Sequence, residues 1–322
     1  MSEPVPIQWF PGHMAKTRRL IAESLPLIDC VAEIADARIP QSSRNPEIDA
    51  LCSGKPRVLM LNKADLADPA ATDAWVAWYA ARGVPALPVD CKTGKGSARF
   101  LPAVKRLLHE KIERNIQKGM AGAKLRIMVA GVPNCGKSTF INRMAGSSRL
   151  KAEDRPGVTR GRTWLDLGGG VEMMDTPGML WPKFEDPAVG EKLAFCGAVK
   201  DEVVDGELLA RRLLELLARQ CPRLLAARYR LEEPLSGDGE ALLRRVAARR
   251  GMLLPGGVAD EERAAILVLD EFRGGKIGRV TLELPAMEGE TRVGSPAAKH
   301  AKAENSETER SETETEEKKR KV

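Results

Sequence analysis

The stretch GVPNCGKS, residues 131–138, sits between the apolar run LRIMVAG and the helix-like KSTFINRMA. It matches G-x-x-x-x-G-K-[ST] and constrains the fold more tightly than anything else in the chain, because the pattern works only as a Gly-rich turn leading from a strand into a helix. Backbone N–H groups and the helix N-terminus there would cradle phosphates, with Lys137 reaching the β and γ groups as a catalytic cation and Ser138 binding Mg²⁺. Cys135, Gly136 and Thr139 complete the nucleotide-contacting set of this loop.

Three further stretches supply what a phosphate loop needs around it. DTPG, residues 175–178, follows the apolar VEMM and places a magnesium-supporting Asp175 and a γ-phosphate-sensing Gly178. Thr159, in DRPGVT, is the switch threonine for Mg²⁺ and the γ-phosphate. In LNKAD, residues 61–65, Asp65 has the chemistry to accept from both N–H positions of guanine, while Asn62 and the stem of Lys63 hold the base and its loop. Adenine lacks that donor pair and would leave the carboxylate unsatisfied. Read alone, LNKAD also fits a solvated turn and helix cap. Downstream, VDCKTGKG sets Cys91 and Lys92 where a backbone N–H meets the guanine oxygen.

The order of these motifs is unusual, since the base reader precedes the phosphate loop. Topology accounts for it: the ends of a Ras-like sheet lie close together, so a chain cut after DTPG and rejoined elsewhere keeps the same site. The new join would be EKIERNIQKGMAGAK, polar and carrying Gly119 and Gly122, which reads as a linker. β-like runs begin at Cys30, Arg57, Ala86, Leu125, Thr163 and Val171. Helix-like stretches separate the first four, giving βα units and a mostly parallel sheet; a Gly168-Gly169-Gly170 turn joins the last two as a hairpin. The fold class is α/β, a circularly permuted Ras-like P-loop domain over residues 1–185 followed by a small, mainly helical domain over 186–287. Residues 288–322 are charged and nearly devoid of apolar side chains, so a disordered tail is expected.

Composition narrows the setting. The 322 residues carry a net charge of +6 and six cysteines without a C-x-x-C pair, which favours a polyanionic partner and a reduced cytoplasmic chain without structural zinc. No apolar run approaches the length of a membrane span. The helix-like GELLARRLLELLARQ and EALLRRVAARRG bring Arg211, Arg212, Arg219, Arg244, Arg245, Arg249 and Arg250 to an RNA-facing surface, or to an ordinary solvated one.

The motif order, together with IQWFPGHMAKTRR from Ile7, DARIPQSSRNPEI from Asp36 and DTPGMLWPKFED from Asp175, resembles circularly permuted GTPases of the YlqF/RbgA type, the ribosome biogenesis GTPase A family. The resemblance implies a GTPase that binds the immature large (50S) ribosomal subunit, through rRNA and ribosomal proteins, and acts late in its assembly when the particle stimulates hydrolysis. It implies GTP and GDP as ligands, with no membrane or DNA partner. Ras-type enzymes place a water-orienting Gln after this motif; here Met179 stands there, and the family's F-P-G-H-M histidine maps onto His13 as the catalytic group. Asn134 resembles the Asn with which related GTPases hold K⁺. Cys135 replaces a commoner aliphatic residue, hinting at thiol sensitivity. The alternatives are a GTP-gated rRNA-binding module and a small-subunit permuted GTPase; against the latter, no zinc-ligand cluster or N-terminal β-barrel region is recognisable.

Overall fold

Cys30–Asp36 is apolar at most positions and buried along its whole length, the pattern of a strand covered on both faces. This is β1. The computed structural model describes residues 14–120, 122–146, 164–181, 184–235 and 238–286, and in it β1 lies between β2 (Arg57–Asn62) and β4 (Leu125–Ala130), parallel to both. With β3 (Ala86–Pro88), β5 (Trp164–Gly168) and β6 (Val171–Asp175) the sheet runs β3-β2-β1-β4-β6-β5. Only β5 is antiparallel to its neighbour among the described residues, through the glycine hairpin. Because β2, β3, β4 and β6 point the same way, LNKAD, VDCKTGKG, GVPNCGKS and DTPG all leave the sheet at one edge, where α/β folds bind ligands.

The helices alternate with the strands as α1 (Met14–Ser24), α2 (Pro46–Leu51), α3 (Pro69–Ala81), α4 (Phe100–Leu107), α5 (His109–Gln117) and α6 (Lys137–Ala145). One stretch departs from expectation: the polar join is helical over α5 before it becomes a loop. Ile112 packs on the core, Lys111 pairs with Asp29, and left-handed Gly119 at φ 72° follows the end of the helix. A polar stretch thus holds a helix wherever one apolar stripe finds a surface.

Five helices follow: α7 (Pro187–Phe195), α8 (Gly206–Gln220), α9 (Pro222–Tyr229), α10 (Gly239–Arg249) and α11 (Glu261–Arg273). Asp186, Asp205, Asp238 and Asp260 cap α7, α8, α10 and α11 by accepting from backbone N–H groups of the first turn. Leu209, Leu213 and Leu217 form a buried stripe at i, i+4 and i+8 on α8, which packs on α10 and α11. Their core is continuous with that of the sheet, and the described residues up to Leu284 form one compact unit. The tail assigned to 288–322 lies outside the described residues. No described helix is long and apolar enough to cross a membrane.

After α11 the chain returns to the sheet part. Val280 N–H donates to Leu66 O at 3.0 Å and Leu282 N–H to Arg38 O at 2.7 Å. Arg38 is buried, bridging Asp36 (2.8 Å) and the Phe272 carbonyl (3.2 Å).

Candidate functional site

Gly136 opens α6 in a left-handed conformation, φ 101°, and a Cβ there would fall on the Asn62 amide. Only glycine fits that approach. The contact lets the Asn62 side chain donate to Cys135 O at 2.7 Å while accepting from Cys91 N–H at 3.0 Å. One buried amide therefore ties together the phosphate loop, the base loop and the Cys91 loop.

Lys137 is buried, and its ammonium donates to Val132 O at 2.8 Å within its own loop. Gly178 lies against the same loop: a Cβ there would be 2.8 Å from Pro133 Cα and 3.0 Å from Lys137 Nζ. Thr176 Oγ1 donates to Val129 O at 2.7 Å and so fixes DTPG to the end of β4. Ser138 and Thr139 are exposed on the first turn of α6. Partial burial pushes the Asp175 carboxyl above its usual range, opposed by Lys137 and by hydrogen bonds from the Thr176 backbone and the Ser138 hydroxyl. The Asp175 carboxylate beside the Ser138 hydroxyl is an oxygen donor set that suits Mg²⁺. Thr159 and His13 lie outside the described residues.

Lys63 adopts a left-handed backbone, φ 59°, and its ammonium pairs with Asp36 at 2.9 Å. Anchoring the charged end leaves the stem as an apolar surface. Asp65 is exposed on the following turn. It also lines a cavity of about 540 Å³ with Asp90, Lys95 and Arg279, on which no phosphate-loop residue borders. Lys92 N–H donates to Asp90 Oδ1 at 2.8 Å, which shapes the turn after Cys91.

Asn134, exposed and left-handed at φ 56°, donates through Nδ2 to Gly197 O at 2.7 Å, joining the phosphate loop to the end of α7. Met179 is fully buried, its N–H on Gly131 O at 3.3 Å and its carbonyl accepting from Asn45 Nδ2 at 2.8 Å. Asn45 is a site residue that sequence reasoning missed, although Asn before Pro at a helix start is a legible cap.

Two expectations change. Cys135 is buried and its thiol is pushed up by desolvation, which makes it an inert packing residue rather than a sensitive thiol. The arginines of α8 and α10 are largely engaged with carboxylates: Arg211 with Glu261, Arg212 with Glu191 and Glu215, Arg244 with Glu261, Arg250 with Glu271. Apart from Glu215, on α8 itself, these acidic residues come back from far off in sequence, which charge counting within one helix does not reveal.

Residues 126–215 match the family described as 50S ribosome-binding GTPase. The chain is 47% identical to ribosome biogenesis GTPase A of Priestia megaterium over 281 residues, covering 87% of this chain and 97% of that one. The chain belongs to the ribosome biogenesis GTPase A family. The relative of that name from Bacillus cereus is 44% identical, over 88% of this chain and 96% of its own length. GNP-bound YlqF from T. maritima superposes with a TM-score of 0.61 at 28% identity, over 84% of this chain and 98% of that chain. As a member of the ribosome biogenesis GTPase A family the chain is a circularly permuted GTPase, and the permuted motif order is the family's own fold. Guanine-nucleotide binding, GTP hydrolysis and use of Mg²⁺ come with membership.

Proposed function

We propose that this protein is a cytoplasmic GTPase that binds the immature large (50S) ribosomal subunit, through rRNA and ribosomal proteins, and drives a late assembly step, hydrolysing GTP when the particle stimulates it. The observation that carries this reading is the burial of Met179. The residue after DTPG is packed in the core and pinned through both of its backbone polar groups, so nothing at that position orients a water. Slow hydrolysis by the protein alone follows, and docking on the particle has to bring the missing group to the γ-phosphate.

Within this reading Asp65 recognises guanine, Lys63 supports the base along its stem, and the Cys91 and Lys92 loop meets the guanine oxygen. Cys135, Gly136, Lys137, Ser138 and Thr139 hold the phosphates, with Gly178 and Thr159 responding to the γ-phosphate. Ser138, Thr159 and Asp175 would hold Mg²⁺, which when bound neutralises phosphate charge. Asn134 offers its side-chain oxygen to K⁺ while its nitrogen is held by Gly197. His13 reaches the γ-phosphate once its segment docks on the particle.

Sedimentation with purified large and small subunits, in GDP and in a non-hydrolysable GTP analogue, tests the proposal. Co-sedimentation with the large subunit in the analogue supports it. Equal binding to both subunits, or none, refutes it.

A further inference from the structure

The turn that carries Asp65 is held from outside the sheet part. Arg279, on the segment that returns from α11, donates through Nε to Ala67 O at 2.9 Å and through Nη2 to Ala64 O at 3.0 Å. Next to it Val280 N–H donates to Leu66 O at 3.0 Å, and Thr281 Oγ1 accepts from Asp68 N–H at 3.0 Å. Left-handed Gly275 faces Leu66 so closely that a Cβ would stand 2.6 Å from Leu66 Cδ2. Every residue from 64 to 68 except Asp65 is therefore gripped by residues 275–281, and Asp65 alone is left to face a ligand. Within the turn Leu66 N–H donates to Lys63 O at 2.9 Å, while Ala64 N–H reaches Val89 O at 3.1 Å beyond β3 and Asp68 O accepts from Thr72 N–H at 2.9 Å.

A guanidinium suits this task. Its donors sit in a rigid plane, so two carbonyls three residues apart are fixed relative to one another and the carboxylate between them is aimed. We propose that Arg279 is a positioning residue for guanine recognition: its fork on the Ala64 and Ala67 carbonyls sets the turn so that Asp65 meets both guanine N–H groups. The inference rests on the assignment of Asp65 as the guanine reader. It makes base selectivity a property shared between the GTPase part and the chain that leaves the helical part.

The test compares GDP with inosine diphosphate, which lacks the exocyclic amine and offers Asp65 one donor in place of two. Wild-type protein prefers GDP. Arg279→Ala weakens GDP by about tenfold or more, the scale of a misaligned hydrogen bond to a charged acceptor, and weakens inosine diphosphate less, so the ratio between them falls. Arg279→Lys gives an intermediate ratio, because an ammonium engages as a point charge without the fork. In an Asp65→Ala background Arg279→Ala has no further effect on the ratio, as expected of residues acting through one contact. An unchanged ratio in folded Arg279→Ala, or in Arg279→Lys should the alanine variant fail to fold, overturns the inference. If Asp65→Ala itself leaves the ratio unchanged, the guanine-reader assignment has failed instead.

Discussion

The side-chain nitrogen of Asn62 donates to the carbonyl of Cys135 across 2.7 Å, joining two motifs 73 positions apart in the chain. Because the same amide accepts from Cys91 N–H, Asn62 is the pin on which all three nucleotide loops are assembled. Asn62→Asp removes the donor and turns a carboxylate oxygen toward a carbonyl. GDP affinity is expected to fall by about tenfold or more, the scale of one buried unsatisfied polar group, with the fold retained. Titration with a fluorescent GDP analogue checks it; wild-type affinity would show that the loops assemble without the pin.

Guanine selectivity is assigned to Asp65. Asp65→Asn presents a donor where guanine also donates, and preference is expected to move from GTP to XTP. Losing a buried polar match costs on the order of 10⁴ to 10⁵ in selectivity when the site is fully closed. Competition between the two nucleotides measures it, and unchanged GTP affinity would remove Asp65 from the site.

Arg38 links the sheet to the end of α11, and its pair with Asp36 sets a pH dependence. Burial alone would raise the Asp36 carboxyl, but Arg38 and Lys63 more than offset it and hold it below the carboxylate range. A depressed acid contributes stability that is fully present above its unfolded pKa, about 4, and is lost as pH falls below that value toward the folded one. Arg38→Met is expected to cost near the lower end of roughly 3–5 kcal/mol at pH 7, since Lys63 remains beside the stranded carboxylate. The variant should also lose less on going from pH 5 to pH 3 than wild type does. Denaturant unfolding at the three pH values measures both effects, and a variant as stable as wild type would contradict them.

The basic helices divide into two classes. Arg211 and Arg212 are committed to Glu261, Glu191 and Glu215, whereas Arg219 and Arg249 are exposed, Arg249 pairing among the described residues only with the solvent-facing Glu232 at 3.0 Å. Arg219→Gln and Arg249→Gln are expected to reduce the salt slope of particle binding by about 0.7 to 0.9 each. Arg212→Gln should lower stability instead. Binding measured across a salt series separates the classes, and intact slopes would place the RNA surface elsewhere.

His13→Ala is expected to retain GTP and particle binding while losing particle-stimulated hydrolysis, leaving the protein trapped on its substrate. Turnover and co-sedimentation measured side by side decide it. Stimulated turnover at wild-type level would assign the missing group to rRNA or to another residue.

The strands were legible because β1, β2 and β4 are near-continuous apolar runs and the loops at their ends carry demanding chemistry. Gly136 and Gly178 could be read as necessary, though the reason for Gly136, the close approach of Asn62, is visible only in three dimensions. What the sequence hid were pairings over long separation: Arg38 with the end of α11, Arg279 with the base loop, Asn134 with Gly197, and the acidic partners of the α8 and α10 arginines. Local periodicity carries no information about which distant carbonyl or carboxylate a long cation will meet. The helix over the polar join escaped for a related reason, since its apolar stripe is thin and depends on the core it packs against.

The central claim is that the large subunit completes a catalytic site which the protein alone leaves unfinished at Met179. Single-turnover GTP hydrolysis, measured alone and with purified immature large or mature small subunits, tests it most directly. The account predicts an unstimulated rate on the scale of roughly 10⁻⁴ to 10⁻³ s⁻¹ and a marked acceleration by the large subunit only. Fast hydrolysis by the protein alone, or equal acceleration by both subunits, would contradict it.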